Sequence, residues 1–338
     1  MNAKKVILGQ FFTRNDIWLR PHIENFILDS CCKIAYDPFA GNGDLLKVSQ
    51  KLKLKTKGLD IDTTMGWEYN DSLISIPHIE EGIIITNPPY ISNYSASRKK
   101  VFNNIRHYFA SSIYDDIYLI ALDRMLEAQK YVVAIVPETF INSSYKHKNR
   151  LHSITILEDN PFTDTDTPVV VVCFDDKIKS FEKIKVYKND DFVGNLQFIN
   201  NRRLEPTHII PMNFNDKNGW LGLRAIDLTD PCNQIYFDYK DNIDYDWDNG
   251  IKVSSRLYSL IDIKIEDKFK KDLIKEANNI LKELRKNTHD IVLSPFKGNM
   301  KDGRRRRRLD FRTARAILEN AYQSLDAGNH YEKQFRLF

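Results

Sequence analysis

The chain has 338 residues, 50 basic and 46 acidic side chains, and a formal net charge of +4 at pH 7. Its 42% hydrophobic share can fill packed cores, so a globally disordered chain is excluded, and the length suits two domains. The near balance of charge excludes any inference about a polyanionic partner from composition, so only local clusters can indicate one.

Neither a membrane segment nor a metal site is indicated. The first residues, MNAKKVILGQFFTRND, lack the apolar stretch of a signal peptide, and no window approaches 18 apolar residues. Cys31, Cys32, Cys173 and Cys232 form no CxxC pair, and no His/Cys spacing resembles a zinc site. We therefore expect a soluble cytoplasmic protein with reduced thiols, no metal and no membrane partner.

The first half of the chain alternates apolar runs with helix-like segments. Strands are predicted at residues 33–37, 56–62, 82–87, 131–137, 154–157 and 169–174, and helices from Gly43 onward and at 115–130. Continuous β-branched runs separated by helices indicate a parallel sheet covered on both faces. The predicted fold is α/β, a doubly wound Rossmann-like domain at residues 1–195.

The second half loses this alternation near residue 200. It contains a turn-rich acidic stretch (241–250), a charged helical stretch (265–286), the sequence SPFKGN, five consecutive arginines and a final predicted helix at 310–325. Residues 196–338 are therefore predicted to form a smaller α+β domain.

A glycine-containing turn, DPFAGNGD at residues 37–44, follows the first predicted strand and opens a helix. Gly41 and Gly43 permit a tight turn and let a ligand approach the backbone closely. The third glycine of a dinucleotide motif is absent, and taken alone the pair is better explained by an ordinary strand-to-helix turn. The turn lies at the sheet edge where such folds bind ligands.

Two acids follow at the same edge. Asp60 ends the second predicted strand, where a carboxylate can accept hydrogen bonds from both ribose hydroxyls of a nucleoside. Asp71 lies at the next expected position, where it can accept from an adenine amino group. Each acid alone would also fit a structural role.

The sequence Asn87-Pro88-Pro89-Tyr90 follows a buried predicted strand. Both prolines have a fixed φ and no N–H, so the backbone is stiff. The Asn87 amide oxygen and the Pro88 carbonyl can both accept from one exocyclic amine, and Tyr90 offers a face for a planar base. We predict that this corner is catalytic.

Together these motifs resemble the amino-methyltransferases of restriction–modification systems, in the γ order of cofactor motif, catalytic motif and target-recognition region. The resemblance covers residues 8–174. It implies an enzyme that binds S-adenosyl-L-methionine and double-stranded DNA, flips an adenine out of the duplex and methylates its N6 amino group directly. It also implies a target-recognition domain at residues 196–338, and it leaves open whether a separate cognate restriction endonuclease is a further partner.

The resemblance assigns roles residue by residue. Residues 9–13 resemble the family's N-terminal cofactor segment, although Arg14 stands where a proline is common. Phe162, in the loop at 160–169, is the candidate for stacking on the flipped base. The catalytic residues are then Asn87, Pro88, Pro89, Tyr90 and Phe162. The cofactor-binding residues are Gln10, Phe11, Thr13, Asp37, Phe39, Gly41, Gly43, Asp60, Ile61, Asp71, Ser72 and Asn87.

Two basic clusters are candidates for contact with nucleic acid. Residues 91–112 are predicted to form a polar loop that closes over DNA. Its basic residues are Arg98, Lys99, Lys100 and Arg106. The second cluster, Arg304, Arg305, Arg306, Arg307 and Arg308, is predicted to contact phosphates. A solvated surface is the alternative for both, and base-reading residues are expected near 213–224 or 294–299.

Other functions stay open. The same Asn-Pro-Pro-Tyr motif occurs in some RNA adenine methyltransferases and in protein glutamine methyltransferases, although the latter place their extra domain first. A non-catalytic DNA-binding subunit would not need an intact corner. Glu266 and Lys268 weakly resemble part of a nuclease motif, but little chain remains for a nuclease.

Overall fold

A computed structural model describes Thr13 and residues 16–98, 102–110, 112–163, 165–250 and 257–335, with the backbone alone at 249–250 and 326–335. The chain divides into two compact units, residues 1–198 and 199–338. None of the helices described combines the length and the apolar run that crossing a bilayer requires.

The first unit contains nine strands and five helices among its described residues, and a sixth helix lies at the division. The strands are β1 (Ile34–Asp37), β2 (Lys55–Asp60), β3 (Glu68–Tyr69), β4 (Gly82–Thr86), β5 (Tyr131–Pro137), β6 (Leu151–Ile156), β7 (Val169–Phe174), β8 (Lys185–Lys188) and β9 (Asp191–Asn195). The helices are α1 (Pro21–Asp29), α2 (Asp44–Lys51), α3 (Asn93–Arg98), α4 (Phe102–Ala110), α5 (Ile117–Ala128) and α6 (Leu196–Asn200).

All nine strands join one sheet in the order β3-β2-β1-β4-β5-β7-β6-β8-β9. Strands β1 to β5 pair in parallel, whereas β7 runs antiparallel to both β5 and β6. The predicted doubly wound α/β fold is therefore confirmed, but the sheet is mixed and not wholly parallel. The reason is the connection at 157–168, whose described residues contain no helix that could serve as a parallel crossover.

The buried central strands fix the sheet edge that carries the motifs. Ile83, Ile85, Val133, Ile135 and Val171 form one apolar core with helix residues above them. Helix α5 buries residues on most of its circumference, as expected for a helix enclosed by a core. The side chains that follow β1, β2 and β4 therefore start from rigid positions. The short hairpin β8–β9, whose strands are partly exposed, was not predicted because it has no continuous apolar run.

The second unit is α+β. Its strands are β10 (Met212–Phe214), β11 (Leu221–Arg224), β12 (Tyr236–Tyr239), β13 (Tyr258–Ile263), β14 (Ser294–Asn299) and β15 (Arg305–Arg308). Its helices are α7 (Trp247–Gly250), α8 (Asp267–Asn287) and α9 (Phe311–Phe335). The first four strands form an antiparallel sheet in the order β10-β13-β11-β12, and β14 and β15 form a two-stranded antiparallel ribbon. Helices α8 and α9 pack against each other.

Candidate active site

The glycine turn follows β1 and adopts the predicted tight conformation. Gly41 and Gly43 have φ values of 49° and 74°, which lie in the left-handed region that favours glycine. A Cβ at Gly43 would lie 2.8 Å from the ring of Trp67, and the Trp67 Nε1–H donates to the Gly41 carbonyl at 2.8 Å. Trp67 therefore fixes the turn from outside. Trp67 was not predicted as a site residue, because no local pattern distinguishes this tryptophan from a core residue.

Asp60 is attached to the same turn. Its Oδ2 accepts the Gly41 N–H at 2.8 Å and its Oδ1 accepts the Asp62 N–H at 2.8 Å. The carboxylate is buried at the end of β2, so its orientation is set by backbone donors. Each oxygen retains a lone pair with which it can accept a ribose hydroxyl.

Asp37 connects the glycine turn to the strand that carries the corner. Its Oδ1 accepts the Thr86 hydroxyl at 2.6 Å and the Phe39 N–H at 3.0 Å. Burial raises the pKa of Asp37 to about 7, and the nearby Asp60 carboxylate adds to this rise, while the two hydrogen bonds oppose it. Because Thr86 directly precedes Asn87, this bond holds the ends of β1 and β4 together.

The corner itself begins at the end of β4. Asn87 is partly buried and Pro88 is buried. The Tyr90 hydroxyl contacts Asn87 Oδ1 and also lies 2.7 Å from the Ile135 carbonyl oxygen. Burial raises the pKa of Tyr90 well above its ordinary value, so the hydroxyl keeps its proton. In this state the Asn87 oxygen is therefore covered by a neighbouring hydroxyl.

A single pocket joins the glycine turn to the corner. With its open mouth included, it encloses about 1080 Å³. The predicted residues on its wall are Thr13, Asp37, Phe39, Gly41, Asp60, Ile61, Asp71, Ser72, Asn87 and Pro89. Gly43, Pro88, Tyr90 and Phe162 are not on this wall, and Gln10 and Phe11 lie outside the described residues.

The wall has the polar groups that S-adenosyl-L-methionine requires. Thr13 is only 4% exposed, and its hydroxyl has no hydrogen-bond partner among the described residues, so a ligand at this end of the pocket could satisfy it. Asp60 and Asp71 supply acceptors, and Ile61 supplies an apolar surface. No group of His, Cys, Asp and Glu residues suited to a metal ion occurs in the described part of the chain.

The prediction of a polar loop at 91–112 is wrong, because its described residues include helices α3 and α4. Ile91, Ala96, Ile105 and Ile117 form a small apolar core, with Phe102 and Phe109 packed against it. The spacing of Phe102, Ile105 and Phe109 is helical and was the signal available in the sequence. The helix α4 residues Ile105 and Tyr108 line the pocket and were also missed.

Phe162 does not present a face to a base. It is 4% exposed, belongs to the main core and meets the Tyr90 ring edge-on at a centroid distance of 6.2 Å. Its backbone also bridges to Thr13. This burial contradicts the prediction that Phe162 stacks on a flipped base, and its contacts are those of a support for Tyr90.

The arginine run is divided by its strand. Side chains alternate across a β-strand, and in β15 Arg305 and Arg307 are 3% and 1% exposed. Arg306 and Arg308 are partly exposed, and the preceding Arg304 is exposed and paired with Asp302 at 2.7 Å. The prediction that all five contact phosphates is therefore wrong for Arg305 and Arg307.

The remaining predicted basic residues differ in position. Arg98 and Arg106 are exposed on α3 and α4. Lys99 and Lys100 lie outside the described residues. Glu266 and Lys268 form an exposed ion pair at 2.7 Å beside the start of α8.

Comparison with solved structures gives distant likenesses. A chain described as a class I S-adenosylmethionine-dependent methyltransferase from Listeria monocytogenes has a TM-score of 0.36 at 12% identity, covering 54% of this chain and 68% of that one. A type I restriction-modification methyltransferase subunit from Streptococcus thermophilus has a TM-score of 0.38 at 15% identity, covering 53% and 47%. The M protein of the type I restriction enzyme EcoKI has a TM-score of 0.36 at 14% identity, covering 53% and 48%.

At these TM-scores nothing about activity follows from the structural likeness, and the alignments span about half of the two restriction-modification chains. No curated protein matches the sequence.

The sheet order, the glycine turn and the shared pocket define a doubly wound α/β unit with a ligand site at one sheet edge. More particularly, residues 55–165 match the family described as Eco57I restriction-modification methylase. The matched segment contains Asp60, Asp71 and the whole Asn-Pro-Pro-Tyr corner. The resemblance to methyltransferases of restriction–modification systems is thus confirmed for residues 55–165.

Proposed function

We propose that this protein is a site-specific DNA methyltransferase that transfers a methyl group from S-adenosyl-L-methionine to the N6 amino group of adenine. One observation carries the proposal: the glycine turn, both edge acids and Asn87 line the same pocket. A cofactor held at the turn is then next to the group that would hold the amine.

The cofactor would lie in this pocket between the glycine turn and Asn87. Asp60 would accept from the ribose hydroxyls, Asp71 from the adenine amino group, and the Thr13 hydroxyl would meet the methionine part. When bound, S-adenosyl-L-methionine supplies an already electrophilic methyl group, so the protein mainly has to align the reacting atoms.

The target amine would be held by the corner. Asn87 Oδ1 and the Pro88 carbonyl would accept its two hydrogens and stabilise the positive charge that develops on nitrogen. The Tyr90 hydroxyl now contacts Asn87 Oδ1, so target entry requires that contact to be exchanged for the amine. The displaced Tyr90 ring would then be available to stack on the base.

Duplex DNA would have to release the adenine from its stack, which costs a few kcal/mol. Stacking on an aromatic ring returns about 1–3 kcal/mol per base. We propose that exposed cations of each unit, Arg98, Arg106 and Arg304, contact phosphates, that the second unit reads the recognition sequence, and that a separate restriction endonuclease shares this sequence.

The test is transfer of labelled methyl groups to duplex DNA, total RNA and protein, followed by modification-aware sequencing of DNA from cells with and without the gene. The expected result is label in duplex DNA and N6-methyladenine at one sequence context. Label confined to RNA or to protein would replace the proposal by an RNA adenine or a protein glutamine methyltransferase. Absence of transfer, with DNA binding intact, would indicate a non-catalytic subunit.

A further inference from the structure

Tyr108 of helix α4 lines the pocket, and the proposed reaction assigns it no role. The Tyr108 hydroxyl donates to Asp71 Oδ2 at 2.8 Å, and both residues lie on the pocket wall. Ile105, one turn earlier on the same helix, lines the same wall. The inner face of α4 therefore meets the pocket at the acid assigned to the cofactor's adenine.

The Asp71 carboxylate is fixed by donors on two sides. Its Oδ1 accepts the Leu73 N–H from its own loop at 3.2 Å, and its Oδ2 accepts the Tyr108 hydroxyl. A carboxylate offers about four acceptor positions, so lone pairs remain for a ligand in the pocket. Without Tyr108, one of the two donors that fix the rotation of Asp71 would be lost.

Tyr108 is suited to this role. Burial and the Asp71 carboxylate raise the pKa of its hydroxyl above the ordinary value, so it stays a donor across the usual pH range. Its ring packs at 3.9 Å from the His107 ring and against the small core that holds α4 to α5. The hydroxyl is thus positioned by packing that does not depend on the hydrogen bond.

We propose that Tyr108 is a positioning residue for the cofactor, which orients Asp71 so that it accepts a hydrogen bond from the adenine amino group and rejects a purine with oxygen at that position. The inference rests on the proposed function, since it assumes an adenosine cofactor in this pocket. It makes Tyr108 of α4 one of the residues that determine which cofactor binds.

The experiment measures binding and needs no turnover. S-adenosylhomocysteine and S-inosylhomocysteine, which carries oxygen in place of the amino group, are titrated calorimetrically into wild-type protein and Tyr108→Phe. Wild-type protein should prefer the adenosine compound at least tenfold. In Tyr108→Phe its Kd should rise about tenfold, while the Kd for the inosine compound changes less than threefold.

Tyr94→Phe is the matched control, because it removes a hydroxyl from a side chain that is 73% exposed on the preceding helix. Its Kd for S-adenosylhomocysteine should stay within twofold of wild type. A double-mutant cycle with Asp71→Asn should be non-additive, since the two residues share one bond.

The outcomes separate this inference from the proposed function. An unchanged Kd in Tyr108→Phe, an equal loss for both compounds, or an additive cycle would overturn the positioning role while leaving the methyltransferase proposal intact. If wild-type protein binds neither compound, the proposed function and this inference both fail.

Discussion

The Asn-Pro-Pro-Tyr corner and the arginine strand place their polar groups in opposite ways. The corner follows β4 in a parallel part of the sheet, where the ends of β1, β2 and β4 meet at one edge and their side chains reach one pocket. The arginine strand, β15, lies in an antiparallel ribbon, where Arg305 and Arg307 are buried and Arg306 and Arg308 are partly exposed. Neighbours in sequence thus act together only where the backbone directs them to one place.

Arg307 joins a buried polar network through its backbone. Asp227 is fully buried and accepts two hydrogen bonds from Arg285, at 2.8 and 2.9 Å, together with the Arg307 and Ile235 backbone N–H groups near 3.0 Å. Arg285 also pairs with Asp290 at 2.7 Å. The Asp227 carboxylate therefore links Arg285 of α8 to the backbone of β15 in the interior of the second unit.

The largest expected effect is at the corner. Asn87→Ala should lower kcat for methyl transfer by at least about 100-fold, because an acceptor for the developing charge is lost. The Kd for S-adenosylhomocysteine should change little. Rapid-quench transfer assays and calorimetry measure the two quantities. Near-normal turnover in this variant would show that the corner is not catalytic. Its convergence on one pocket would then have no functional meaning.

Next in size is a loss of stability in the second unit. Asp227→Ala should lower the free energy of unfolding by about 3–5 kcal/mol, because it leaves the buried Arg285 without its main partner. Urea unfolding followed by tryptophan fluorescence measures this. Asp302→Ala, at an exposed ion pair in the turn between β14 and β15, is the control and should not change stability measurably. Equal effects would show that the buried Arg285–Asp227 pair stabilises the second unit no more than the exposed pair does.

A smaller effect is expected on DNA affinity. Arg304→Ala should weaken duplex binding roughly threefold to tenfold. It should also reduce the slope of log affinity against log salt concentration by about one, without changing stability. Fluorescence anisotropy titrations at several salt concentrations test this. Lys33→Ala removes a similar charge before β1, at the amino end of the sheet, and should leave affinity unchanged. If both variants bind equally well, Arg304 is a solvated residue.

A further effect concerns the pH dependence of stability. The pKa of Asp37 is about 7 in the fold against 3.8 ordinarily, so the folded state binds its proton more tightly. This contribution to stability is complete below pH 3.8 and is lost as pH rises toward 7. Unfolding free energies of wild type and Asp37→Asn, measured between pH 4 and 8, should therefore diverge up to about pH 7, with wild type losing more. Parallel curves would show that Asp37 ionises normally.

The sequence by itself determined the sheet core and the positions of the motifs. Residues 131–137 and 169–174 are strands with the predicted bounds, because continuous apolar β-branched runs need a buried sheet. The order of glycine turn, acids and corner follows from the strands that precede them. These features depend on residues close together in the chain.

Only the tertiary structure decided which side chains share a surface. Tyr108 reaches Asp71 across 37 positions, Trp67 fixes Gly41, and β15 turns two arginines inward, all through packing between distant segments. The antiparallel placement of β7 likewise depends on its neighbours β5 and β6 and not on its own apolar run. Local patterns record burial and periodicity, whereas partners are selected by the fold as a whole.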